Sequence, residues 1–278
     1  MIRLSALVGL AATLLCLAVP ARAQYKPRPL NDPATGERYH IEVGAGFWWP
    51  GADMTVSSES LNIIGTRIDF KQDLGLTDQR FPAFQIVLRP AIRHKFRAEA
   101  IPIAYDATNT LKRELVFNGI KYTVGLPVTS SLEWKTYRLG YEYDFVSRNR
   151  GFAGLILEAK YTDVSVQLNA RQSVLAPAGL SEFAHARAPI PALGAIARFY
   201  PVPNISITGE ITGFDVPASV SKTYNAHYAD INVYGTLNFT NNIGVQAGYR
   251  SLDVGYLVKT DTGSFVLRGP YLGAVLRY

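Results

Sequence analysis

The chain has 278 residues, 48% hydrophobic and 18% charged, with a formal net charge of +6. That much apolar surface excludes a disordered chain, and past the N-terminus no run of about 18 uncharged apolar residues exists to form a membrane-spanning helix. The basic residues are spread along the chain without a Lys or Arg block, so nucleic acid is not an implied partner.

In chain order, the first element reads as a secretory signal over residues 1–23. Arg3 supplies the positive start, Leu4 to Val19 the apolar stretch, and Ala21-Arg22-Ala23 the small-x-small cleavage site before Gln24. Cys16, the only cysteine, lies inside that segment. Leu15 precedes it where a lipoprotein signal needs a small residue, so no lipid anchor is expected. The mature chain then has no thiol for a disulfide or a metal site. Residues 24–37 carry Pro27, Pro29 and Pro33 and read as an extended periplasmic arm. Residues 38–278 follow as one domain without a linker.

That domain alternates apolar and polar residues between clusters of Gly, Pro, Asn and Asp. From Thr136 to Phe145, one face holds Tyr137, Leu139, Tyr141, Tyr143 and Phe145, and the other holds Thr136, Arg138, Gly140, Glu142 and Asp144. A period of two places those sets on opposite sides of a strand. The same split recurs from Ile41 to Trp49, Phe84 to Leu88, Leu155 to Tyr161, Leu193 to Phe199, Ile231 to Phe239 and Leu272 to Tyr278. A soluble sandwich also alternates, but here the apolar sets end in aromatics near the turns: Tyr143, Phe145, Phe199, Tyr200, Phe239 and Tyr278. Such a girdle belongs at a bilayer interface.

Connections differ by side. Arg89–Lys95, Val146–Gly151, Tyr200–Asn204 and Phe239–Asn242 are tight, whereas Ser57–Arg80, Asn109–Ser131 and Gln172–Ala188 are long and polar. Four tight turns with both termini on one side predict an all-β, closed antiparallel transmembrane β-barrel of about ten strands, with eight or twelve as alternatives. Pro102 has no donor for a ladder, which predicts a bulge or an early end to the membrane part of its strand. Beyond Thr162 and beyond Ser251 the apolar parity changes sides, predicting bulges or strands that rise above the membrane.

The segment Tyr271-Leu-Gly-Ala-Val-Leu-Arg-Tyr278, with Leu272, Ala274, Leu276 and Tyr278 alternating to a terminal aromatic, resembles the C-terminal strand of bacterial outer-membrane proteins. The resemblance covers eight residues and names a class, the small Gram-negative outer-membrane barrel. It implies location in the cell outer membrane, surrounded by lipid and lipopolysaccharide. It also implies the β-barrel assembly machinery as a partner that reads this terminal signal. The oligomeric state is not set by the sequence.

Inward parity collects Glu42, Arg97, Glu99, Arg138, Glu142, Glu158, Lys160, Arg198, Glu210, Asp230 and Arg250. The near balance of signs fits a salt-bridged plug in a narrow barrel, with a polar path for a small solute as the other reading. Among the histidines, His40 and Glu42 share a face but lack a third metal ligand, and His227 and Asp230 fall on opposite faces. His94 lies in a turn and His185 in an external stretch. No catalytic, cofactor or metal site is therefore read. Asn118-Gly119 predicts a hairpin between Leu115–Phe117 and Ile120–Tyr122 that lifts a ribbon above the membrane. Arg67 to Leu76 forms another ribbon or folds over the mouth. The functions left open are structural, surface-interaction or small-solute passage, with a lipid-modifying enzyme as the alternative.

Overall fold

The computed structural model describes residues 32–57, 65–117, 119–170, 180–216, 224–258 and 261–278. The signal segment with Cys16, residues 24–31 of the arm, Asn118, residues 171–179 and the His185 side chain lie outside the described residues.

The strands are β1 (Ile41–Trp48), β2 (Gly51–Ser57), β3 (Ile68–Asp69), β4 (Phe81–Ala91), β5 (His94–Thr110), β6 (Leu115–Phe117) and β7 (Ile120–Tyr122). They continue as β8 (Pro127–Arg148), β9 (Gly151–Ala170), β10 (Leu180–Val202), β11 (Ile205–Val216), β12 (Tyr224–Asn238), β13 (Ile243–Val258) and β14 (Asp261–Arg277). β1 and β2 form one stave, because Trp48↔Tyr271 and Gly51↔Arg268 keep a single register against β14 across Trp49-Pro50. β14 pairs with both β13 and β1, so the sheet closes on itself as a ten-stranded antiparallel barrel. Closure pairs the staves on both sides through the apolar belt, as hydrocarbon demands because an unpaired backbone group there costs several kcal/mol.

Period-two alternation sets the two faces. Phe84, Leu139, Leu157, Leu193, Val233 and Leu272 all point outward and are more than half exposed. Their neighbours Arg138, Glu158, Glu42 and Arg277 are buried inside. The aromatic girdle is present at Phe145, Phe199, Phe239 and Tyr278. Tyr200 departs from it. The register shifts between Phe199 and Val202, and Tyr200 turns inward to donate a hydrogen bond to Glu37 at 2.9 Å.

Several expected boundaries are corrected. Pro127–Ser131 and Leu180–Ala188, expected in polar connections, belong to β8 and β10, which run 22 and 23 residues. Strands standing above the lipid carry Ser, Thr and Gln outward into water, so their polarity imitates a loop. No bulge occurs at Thr162 or Ser251: the β9 and β13 registers run through both positions without a shift. The inner face keeps its parity and changes its chemistry, from charged near the turns to Val166, Leu168, Leu252 and Phe265 near the mouth.

The prolines mark where neighbouring strands part company. β4 pairs with β5 only up to Phe84↔Ala100, while β5 continues with β8 to Thr110↔Pro127. Pro102 follows that parting, so β5 runs on without a bulge or an early end. On the opposite side β10 pairs with β11 only up to Leu193↔Gly213 and continues with β9 to Leu180↔Ala170. Pro189 and Pro191 sit just past that point. A residue without N–H fits a strand whose partner on one side has left.

Candidate functional site: a charged lumen

Three layers of residues occupy the lumen, beginning at the turn end. Residues 33–37, expected as the end of an extended arm, instead tuck against the turns. Ala34 N–H donates to Asn149 O (2.9 Å), Thr35 N–H to Pro203 O (2.7 Å) and Gly36 N–H to Asn241 Oδ1 (3.1 Å). Ala34 and Glu37 are buried. Glu37 meets Arg89 at 3.5 Å and accepts the Tyr200 hydroxyl. Backbone groups entering a packed barrel end must find partners, and three turn segments supply them.

The second layer is the charged middle. Arg97 from β5 reaches Glu142 at 3.1 Å on β8 and Glu210 at 2.7 Å on β11, which lies across the lumen. Arg138 bridges Glu99, Glu158 and Glu210 from three strands. Arg250 on β13 holds Asp230 with Nη2 at 2.6 Å and Nε at 2.9 Å, and also bonds Glu99 on β5. Lys160 reaches Asp230 at 3.3 Å from β9 and lies 4.0 Å from the centre of the Tyr228 ring. Arg198 donates to Thr208 at 2.9 Å and faces Phe152. Glu42 binds Arg277.

All eleven charges expected inside are there. Five more join them: Glu37, Arg89, Lys95, Asp144 and Arg277. Lys95 bonds Glu142 at 2.6 Å and meets Asp144 at 2.9 Å. Lys95, Asp144 and Arg277 share the parity of the expected set, so carrying the period one step further toward the turns finds them. Glu37 precedes β1 and has no periodic signal. Charges this deeply buried are tolerable only when paired, and each acid of the group has a basic partner.

The third layer fills the mouth. The Gly119 hairpin forms, β6 against β7, with Gly119 at φ 81°. It is not a ribbon lifted free into water. Leu115, Phe117 and Tyr122 are buried in one apolar cluster with Trp48, Trp134, Phe265 and Leu267. Ile68, Phe70, Leu74 and Leu76 enter the same cluster, so Arg67 to Leu76 takes the folded-over alternative. A ribbon with one apolar face gains more by burying it between the tall strands than by standing in water. The ribbons are tied by Thr66 N–H to Val116 O (2.9 Å) and by Arg113 Nη2 to Asp73 Oδ2 (2.6 Å).

The histidines with described side chains do not converge. His94 lies 2.6 Å from the Tyr141 hydroxyl, and His40 is exposed while Glu42 is buried. His227 pairs with Asp253 at 3.1 Å on the outer side, while Asp230 faces inward.

No protein-family model and no curated protein matches the chain. Among solved structures it is similar to the outer-membrane protease OmpT from Escherichia coli, at 9% identity and TM-score 0.56, over 86% of this chain and 96% of that one. It is also similar to the Pseudomonas putida toluene transporter TodX, at 8% identity and TM-score 0.39, over 89% and 92% of the two chains. A third similarity is to Ail, the attachment invasion locus protein of Yersinia pestis, at 11% identity and TM-score 0.33, over 86% and 97%. The OmpT likeness speaks to the fold alone. The class that this fold and its apolar belt define is the integral β-barrel of the Gram-negative cell outer membrane.

Proposed function

We propose that the protein is a non-enzymatic barrel whose resting lumen is shut, serving as a structural or surface element of the outer membrane with at most narrow passage for a small solute. The single observation that carries this reading is Arg138, which binds Glu99, Glu158 and Glu210 from three different strands. A cation tied to three walls fills the bore, and moving it breaks several buried ion pairs at once. The layers above and below support the same reading.

On this reading the C-terminal set Leu272, Ala274, Leu276 and Tyr278 is the signal read by the assembly machinery, and lipid with lipopolysaccharide surrounds the belt. The alternative is a lipid-modifying enzyme. Lipid A mass analysis of outer membranes with and without the protein separates the two. The account expects identical spectra, and a new or missing acyl or phosphate group would favour the enzyme. Proteoliposomes carrying the protein should not swell in a pentose solution.

A further inference from the structure

Inside the closed lumen, one stretch of wall is unlike the rest. The rung Ala83–Gly46–Gly273–Gln246 runs across β4, β1, β14 and β13 in continuous register. Its inward side chains are one methyl group, two hydrogens and an amide. The rung toward the turns begins Gln85–Gly44 and is closed by Val275 and Gly244, and the rung toward the mouth carries Phe81, Trp48 and Tyr271. The Arg and Glu side chains of the opposite wall are engaged with one another, and the small rung leaves room beside Gln85 and Gln246.

A cavity lies there, bounded by Gly46, Gln85, Gln246, Asn232 and Gly273, with Trp48 at its mouth side. Two further observations say that it is wet. The inward residues around it are half-buried, whereas Glu42 and Val87 on the turn side and Trp48 and Phe81 on the mouth side are sealed. The amides of Gln85, Gln246 and Asn232 line it. A cavity lined by polar groups holds water, whereas an empty one is apolar.

We infer that this chamber is a hydrated compartment for water and small uncharged polar solutes, and that any passage through the barrel runs along the β13–β14–β1–β4 wall rather than through the ion-pair network. The lining decides the class of occupant. Gln85, Gln246 and Asn232 offer amides and the glycines offer backbone, all neutral. The one charged pair at the edge, Glu99 with Arg250, is internally compensated. An ion entering would lose hydration without a free counter-charge. A neutral hydrogen-bonding molecule would not.

The inference rests on the closed-lumen reading, and one experiment distinguishes their failures. Gln246→Cys on β13 and Gln85→Cys on β4 are placed in the full chain, assembled in outer membranes and treated with an uncharged or a sulfonated thiosulfonate reagent. Thr208→Cys, inward but fully buried, is the reference. Peptide mass spectrometry separates the introduced thiol from Cys16. The uncharged reagent should modify both chamber thiols about tenfold faster than Thr208→Cys, and the sulfonated reagent should lag behind it. Chamber thiols as inert as the reference would show that no small uncharged solute reaches the chamber, and would overturn this inference alone. Equal modification by both reagents would overturn the neutral-solute assignment. Rapid sulfonated labelling at every inward position, Thr208→Cys included, would instead bring down the closed lumen itself. Should Gln246→Cys not assemble, Gln85→Cys carries the same test.

Discussion

Val233 and Asn232 are neighbours in β12 that face different media, Val233 outward with 51% exposure and Asn232 into the hydrated side of the lumen. An Arg at position 233 should cost about 2–4 kcal/mol if it meets the bilayer midplane, and a Leu at the same position far less. Urea or guanidinium unfolding of the refolded barrel in lipid checks this, and equal losses would reverse the face assignment. Asp73 makes a second residue-scale prediction. Burial raises its carboxyl, but the Arg113 hydrogen bond and the Asp69 amide outweigh this and hold it below the ordinary range. A depressed folded pKa contributes stability that is present above the unfolded value and lost as pH falls through the folded one. Hydrogen-exchange protection in residues 65–76, taken relative to the intrinsic rate at each pH, should therefore be high at neutral pH and fall only below the ordinary carboxyl range. Asp73→Asn should exchange fast at neutral pH already; an unchanged rate would show that the clasp does not hold the ribbon.

At the scale of elements, the hairpin β6–β7 is a plug component and not an ornament. Phe117 is fully buried in the mouth cluster, so Phe117→Ala should cost about 3–5 kcal/mol. A loss under 1 kcal/mol in denaturant unfolding would return the hairpin to the surface. The closing strand is tested by Tyr278→Asp. Tyr278 N–H and O bond Ile41 O and N–H across the β1–β14 closure, and the mutant should show less heat-modifiable protein than wild type. Element faces were legible from the sequence because lipid and lumen impose opposite chemistries on alternate residues, as between Leu139 and Arg138. Element ends were not. Above the lipid the outside is polar and the inside apolar, so Thr129, Ser131 and Gln167 on long strands look like loop residues. The hairpin was legible from Asn118-Gly119, but its direction was not, since only the tall walls show where Leu115 and Phe117 can be buried.

For the whole molecule, the charges of the lumen were legible individually and their partners were not. Period two places Arg138 and Glu210 inside, but only the order of ten strands brings β8 and β11 within reach across the bore. Residues 33–37 had no signal at all, because their burial depends on three turns remote in sequence. The two partings of the wall, past Ala100 and past Leu193, became intelligible only once Pro102, Pro189 and Pro191 were seen beside them. The central claim is that the bore is shut by its ion pairs. Single-channel recording in planar bilayers, wild type against Arg138→Ala, tests it most directly. The wild type should show little or no conductance. The variant should leak or lose stability, by about 3–5 kcal/mol where a buried partner is removed. Large, steady wild-type channels that Arg138→Ala leaves unchanged would contradict the account.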